Sequence, residues 1–344
     1  MNKLTYKIDC NETNLLFDVS YTEGLKDVLQ KNGYFITDTN VYSLHQSFIH
    51  STPHYVMRAG ELYKTSETIQ LILQDMLDQK IDRDAMVIGM GGGVVTDIAG
   101  FVSAIYKRGS SLTLIPTSLL GMVDAAIGGK NGVNAGLYKN VIGTVHQPNN
   151  IIFDFDLTDT LPVTEWQSGM AEIIKHSVAL DASMIDLLHQ NHIESIRNNK
   201  AILAALVERN VRLKMDVVCK DSQDLAQRHV LNFGHTLGHA IEQLHDLAHG
   251  EAVAIGMVFA CRLSESVTGF APEKTALLIQ LLQQYQLPVS IAAQSDEVVS
   301  IMLNDKKNKG DDIRYVLLED FGKPIVQSFS ANFIHEKLNA FFHS

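Results

Sequence analysis

The sequence predicts a chain of two structural classes, an α/β part followed by a mainly helical one. Three observations carry this. Up to about residue 155, short β-rich runs alternate with helical patterns. After Leu161 and Pro162 the apolar spacing is helical with a single exception. No internal repeat or low-complexity linker interrupts the 344 residues. The expected division is therefore 1–159 and 160–344, and a cleft between two such domains is a usual place for a small-molecule site.

Taken in order, 34–37, 54–57, 85–90, 111–115 and 151–154 read as strands. The segment 66–79 spaces Ile69, Ile72, Leu73, Met76 and Leu77 as a helix does. Strands alternating with helices imply a parallel sheet covered on both faces, and such sheets bind ligands beyond the carboxyl ends of their strands. In the second part Pro162 favours a helix start near Val163. Amphipathic segments follow at 164–180, 200–219, 233–247, 249–268 and 273–286. The exception is 313–318 and 323–326, which flank Glu319, Asp320, Phe321 and Gly322 as a small hairpin.

A content of 46% hydrophobic and 19% charged residues suits a globular protein with a sizeable core. The net charge is −11, from 28 basic and 39 acidic residues, and the basic residues are scattered. That excludes nucleic acid as the main partner, because phosphate-backbone binding needs a basic face or arm. An anionic small molecule needs only a local cluster of Lys and Arg. Cys10, Cys219 and Cys261 are far apart and lack metal or redox spacing, which reads as reduced thiols. The N-terminal MNKLTYKIDC has no apolar core of a secretory signal. The longest apolar run, 252–261, is half of what a membrane span requires. The expectation is a cytoplasmic protein with no membrane partner.

Three segments carry chemistry. GMGGGVVTD (89–97) follows an apolar strand and leads into a helix, so backbone N–H groups and a helix N-terminus can approach a pyrophosphate. Its spacing is not GxGxxG. A second segment, read as a loop, runs through Asp124, Gly128, Gly129 and Lys130 to Lys139, Asn140 and His146. Paired glycines beside a lysine let a cation and free backbone donors converge on phosphate or carboxylate oxygens. The third comprises Glu172 and Lys175 on one helix face, His235 and His239 four apart on another, and His249 opening the next helix. Glu172, His235 and His249 could supply one oxygen and two nitrogen ligands, a mix that suits Zn²⁺ with positions left open. Spacing alone does not select Glu172 as the third member.

In chain order, GMGGGVVTDIAGF, KRG, PTSLL, VDAAIGGKNGVN, KNVIGTVHQP, GMAEIIKH, LNFGHTLGHAIE, HGEAVAIGM and DKK resemble the 3-dehydroquinate synthase family, within the sugar phosphate cyclases. The resemblance implies a Rossmann-like N-terminal domain and a helical C-terminal domain, with the active site in the cleft between them. It places Glu172, His235 and His249 at the metal-ligand positions, for Zn²⁺ or Co²⁺. For NAD it implies Asp38, Asn40, Gly60, Glu61, Lys64, Gly91, Gly92, Gly93, Val94, Val95, Asp97, Thr117 and Ser118. Asp124, Lys130, Lys139, Leu157, Thr158, Asp159 and Thr160 complete that set. For substrate it implies Arg108, Asp124, Lys130, Asn140, Lys175, Lys214, Arg228 and Asn232. His239, Asp224, Lys175 and Lys130 match catalytic positions, and Asp305-Lys306-Lys307 would deliver one more lysine. Departures are Ala59 for a common Asp, Met122 for Gln, and Asn131 for Thr. Ser222 and Asp224 stand where glutamates are expected, and Ala226 where glycine is. Asp224 is one methylene short, so its carboxylate would reach about 1.5 Å less far.

The implied reaction converts 3-deoxy-D-arabino-heptulosonate 7-phosphate into 3-dehydroquinate and phosphate. A transient oxidation at C5 by NAD is followed by phosphate elimination, re-reduction and an intramolecular aldol closure. Arg228 would hold an oxyanion bidentately, and His239 would move a proton to or from a substrate hydroxyl. The family commonly forms homodimers. Two other readings share this plan: another NAD- and zinc-dependent sugar-phosphate cyclase, and a metal-dependent polyol dehydrogenase, which would accumulate NADH.

Overall fold

The structure is a computed structural model describing residues 2–26, 32–136, 138–245, 247–303 and 312–343. It has the expected fold class: a mainly parallel sheet in the first part and a mainly helical second part. The chain forms two compact units, Met1–Leu161 with Lys200–Gln223, and Pro162–Asn199 with Asp224–Ser344.

In the first unit the sheet strands are β1 (Asn2–Ile8), β2 (Asn11–Phe17), β3 (Gly33–Asp38), β4 (His54–Met57), β5 (Met86–Gly91), β6 (Ser111–Pro116) and, after β7 (Lys130–Ala135) and β8 (Tyr138–Val145), β9 (Asn150–Phe153). Their order is β1-β2-β9-β6-β5-β3-β4, antiparallel between β1 and β2 and parallel elsewhere. The five strands read from the sequence are β3, β4, β5, β6 and β9. In the middle of the sheet Val87, Ile88, Met90, Leu112, Leu114 and Ile115 are all buried. Apolar runs replace alternation there because both faces are covered. Each such side chain contributes roughly 1.5–3 kcal/mol relative to exposure. The β1–β2 hairpin was not read. It is half exposed, and Thr13, Leu15 and Phe17 of its second strand are fully inside.

The helix Ser66–Asp78 starts where Thr65 accepts from the Thr68 N–H, and it buries Ile69, Ile72 and Met76. The segment around Lys130, expected as a loop, is a two-stranded antiparallel hairpin of β7 and β8. Its outer strand exposes Tyr138, Ile142 and Val145, so no buried face marked it as a strand.

Neither unit is a single stretch of chain. The helix Lys200–Lys220 groups with the first unit because it buries Leu203, Leu206, Val207, Val211, Met215 and Val218. It also ties itself there with polar contacts: Lys200 Nζ donates to the Phe155 carbonyl at 2.6 Å, and Lys214 Nζ to Asp124 Oδ1 at 2.6 Å.

In the second unit, the helix Val163–Ala179 is buried on nearly every side, with Trp166, Met170, Ile173, Ile174 and Val178 inside. A second core joins Leu237 and Ile241 of His235–Leu244 to Ile255, Phe259 and Leu263 of His249–Val267. Ile313, Tyr315 and Leu317 of the hairpin β10 (Asp312–Asp320) and β11 (Lys323–Ser330) close it, with Ile334 and Leu338 of Ala331–Phe342. The segment expected as a helix over 233–247 forms one only over His235–Leu244. Gly234 is left-handed, with φ 78°, and breaks the chain there.

Candidate active site

Two groups of polar side chains stand out, one in each unit. In the second unit, Glu172 sits on the buried helix Val163–Ala179, and its carboxylate is fully enclosed. Oε1 lies 3.6 Å from His235 Nε2 and 3.5 Å from His249 Nε2, while Oε2 pairs with the Lys175 ammonium. The three ligand atoms lie within 4.8 Å of one another, a spacing that could hold a metal ion. His235 Nδ1 stands 3.2 Å from the Phe233 carbonyl, which can only accept, so the proton is on Nδ1 and the Nε2 lone pair faces Glu172.

Local sequence brings these together. Gly250 lets the helix His249–Val267 approach Val163–Ala179: a Cβ there would stand 2.5 Å from Ser168 Cα. Gly256 does the same for the neighbouring helix, since its Cβ would fall 1.9 Å from the Gly234 carbonyl oxygen. Both histidines enter at helix N-termini, where the macrodipole favours neutral imidazole and negative charge.

Burial would raise the Glu172 carboxyl, but the Lys175 ammonium and the two imidazoles hold it well below its usual value. Burial, and then Lys175, hold His235 well below its usual range. For His249, burial lowers the value but the carboxylates of Glu172 and Glu242 outweigh it and push it up to about 9. The set is thus an ionised carboxylate and a neutral imidazole beside a protonated one, which a cation must deprotonate.

His239 is exposed one turn beyond His235, its ring 5.1 Å from that of His235 and 6.4 Å from that of His249. Arg228 is buried and Asn232 half-buried on the short helix Gln227–Asn232. Asp224 is half-buried in the preceding turn with φ 58°, a left-handed conformation that Asp tolerates. Ser222 is buried and Ala226 exposed.

In the first unit, the carboxyl ends of the strands carry the second group. Asp38 ends β3, and its carboxylate accepts from the N–H groups of Asn40 and Val41 at 2.9 and 3.0 Å. Gly91 ends β5, Gly92 and Gly93 open the helix Gly93–Ile105, and Val94, Val95 and Asp97 lie in its first two turns. Lys64 is buried, pairs with Asp97, and donates to Asn140 Oδ1 at 2.6 Å. Burial pushes the Asp97 carboxyl up to about 6, with Lys64 opposing. Glu61 accepts from Asn134 Nδ2 at 2.8 Å beside Gly60. Thr117 and Ser118 follow β6, and the Thr117 N–H donates to the Gly91 carbonyl at 2.9 Å. Asp124 accepts from Lys214, whereas Lys130 and Lys139 are exposed on the hairpin β7–β8. Leu157 and Thr158 are buried after β9, Asp159 pairs with Lys200, and Thr160 is exposed. Arg108 ends the short helix Tyr106–Arg108. Among the departures, Ala59 donates its N–H to Thr39 Oγ1 at 3.3 Å and Met122 is buried. The Asn131 side chain bonds the carbonyls of Gly129 and His146. Asp305, Lys306 and Lys307 lie outside the described residues.

One residue went unread in the sequence. Glu242 Oε1 stands 3.6 Å from His249 Nδ1. Its spacing of seven from His235 put it on the same helix face, so the signal was present.

Comparison with known proteins places the chain. Residues 54–168 match the N-terminal, and residues 169–308 the C-terminal, region of 3-dehydroquinate synthase. The chain belongs to the 3-dehydroquinate synthase family. The 3-dehydroquinate synthase of Rippkaea orientalis is 38% identical over 298 residues, covering 84% of this chain and 81% of that protein. Among solved structures, a 2-deoxy-scyllo-inosose synthase complexed with carbaglucose-6-phosphate, NAD+ and Co2+ superposes with a TM-score of 0.86 at 21% identity. It covers 99% of this chain and 100% of that one. The 2-epi-5-epi-valiolone synthase of Streptomyces hygroscopicus subsp. jinggangensis, with NAD+ and Zn2+ bound, gives 0.86 at 24%, covering 100% of this chain and 99% of that one. These likenesses carry the fold. Membership in the 3-dehydroquinate synthase family rests on sequence, and the family's activity is that of a phosphate-eliminating lyase.

Proposed function

We infer that this chain catalyses the family's reaction, the conversion of 3-deoxy-D-arabino-heptulosonate 7-phosphate to 3-dehydroquinate and phosphate. The observation that carries the site reading is the enclosed Glu172 carboxylate, with one oxygen turned toward two imidazole nitrogens. That donor set fits a divalent ion, Zn²⁺ or Co²⁺, held by Glu172, His235 and His249. The glycine turn at 91–93 fits a dinucleotide: its residues carry no side chains of their own, so backbone N–H groups at a helix N-terminus can be approached closely. When bound, NAD would accept and return one hydride, and the ion would polarise substrate oxygens.

The chain's own residues would do the rest. Lys130, Asn140, Lys175, Lys214, Arg228 and Asn232 supply the positive and polar groups for a substrate bearing a carboxylate and a phosphate. Arg228 suits bidentate capture of one oxyanion. His239, exposed beside the ligand pair, would carry a proton to or from a substrate hydroxyl. Asp224 would assist as a second proton-handling group. Lys64, Asp97 and the Asp38 turn would shape the dinucleotide site. Among the described residues no helix is long and apolar enough to cross a membrane. We place the enzyme in the cytoplasm, as a homodimer, by likeness to the family; cell fractionation and light scattering check these two points.

The test is phosphate release from the heptulosonate phosphate, with NAD and with or without a chelator. Release that requires both NAD and metal, with no net NADH, supports the reading. Stoichiometric NADH accumulation on a polyol would point to a dehydrogenase instead.

A further inference from the structure

We propose that Glu242 is the positioning residue of the metal centre: it holds the His249 ring through Nδ1 so that Nε2 faces the ion. This rests on the metal reading above. The two nitrogens of His249 have different carboxylates, Glu172 Oε1 at 3.5 Å from Nε2 and Glu242 Oε1 at 3.6 Å from Nδ1. The second distance is within ion-pair range and just beyond hydrogen-bond length. Among the described residues, His235 has the neutral Phe233 carbonyl on its Nδ1, so the two proposed ligands differ in what stands behind them. A carboxylate behind an imidazole fixes its tautomer and raises its basicity more than a carbonyl does.

The position of Glu242 is one where an acidic side chain needs compensation. Its side chain is only 8% exposed, and a buried carboxylate is costly without a partner. It also lies in the last turn of His235–Leu244, the negative end of the helix dipole, where an acidic side chain is disfavoured. A proton on His249 Nδ1 contributes to offsetting both, and the seven-residue spacing from His235 delivers both side chains to one face.

The test measures Zn²⁺ affinity by competition with a chromophoric chelator, and the visible spectrum of the Co²⁺-loaded protein. Glu242→Ala should weaken Zn²⁺ binding by about 10–100-fold and alter the Co²⁺ bands. Glu242→Gln keeps an oxygen that can accept from Nδ1, and it should recover most of the affinity. Unchanged affinity and spectrum in Glu242→Ala would overturn the proposal. So would equal losses in both variants, because Gln keeps the bulk and an accepting oxygen, and that pattern would mark a need for the charge rather than for the hydrogen bond to Nδ1. If the wild-type protein itself fails to bind Zn²⁺, the metal reading falls and this proposal with it.

Discussion

On the proposed ligand set, His249 is the residue at which charge and metal compete. Its protonated form is favoured by Glu172 and Glu242 up to a pH of about 9, against the opposing effect of burial. A metal ion must displace that proton, so uptake is linked to pH. Between pH 6.5 and 8.5 the site holds the proton in its metal-free state, and one proton leaves for each ion bound. Zn²⁺ affinity should therefore rise about tenfold per pH unit over that range, as read by chelator competition. A flat profile would mean that His249 is neutral before the ion arrives. The residue types here were legible in the sequence, because a Glu and three His at helical spacings suggest nitrogen and oxygen ligands. The selection was not. Glu172 is separated from His235 by 63 positions, and only side-chain directions in the folded unit turn one of its oxygens toward both imidazoles.

At the scale of elements, close approach of helices at glycines brings these groups together. The helix His235–Leu244 is anchored where Thr236 Oγ1 donates to the Arg314 carbonyl of β10 at 3.0 Å, and where Gly256 meets the Gly234 carbonyl. Gly256→Ala would force these backbones apart. Overpacking of this kind costs about 1–3 kcal/mol. It should also move His235 away from Glu172, so Zn²⁺ affinity should fall together with the thermal midpoint. Calorimetry and metal competition on the same preparation would show both; a lower midpoint with intact affinity would separate the packing from the site. At this scale the long helices and central strands were readable, since their apolar period is imposed by burial. The hairpin β7–β8 was not, because both of its strands lack a consistently buried face.

For the whole molecule, metal and fold are linked by mass action. An ion bound only by the native state stabilises it by about 4 kcal/mol at a thousandfold excess over its dissociation constant. Chelation should lower the unfolding midpoint of the wild-type chain. His249→Ala should unfold at the same temperature with or without Zn²⁺ and should lose turnover as well. A Zn²⁺-dependent midpoint in that variant would remove His249 from the ligand set.

What the sequence determined by itself was local: which stretches are apolar with period two or 3.6, where glycine and proline break them, and which titratable residues share a helix face. Its motif order also identified the family. The tertiary structure decided what depends on distant partners. It grouped Lys200–Gln223 with the sheet, brought Glu172 to His235 and His249, and set Glu242 behind His249. The reason is physical. Periodicity records whether a side chain is buried, whereas the identity of its neighbour depends on helices packing at distances that no local pattern encodes.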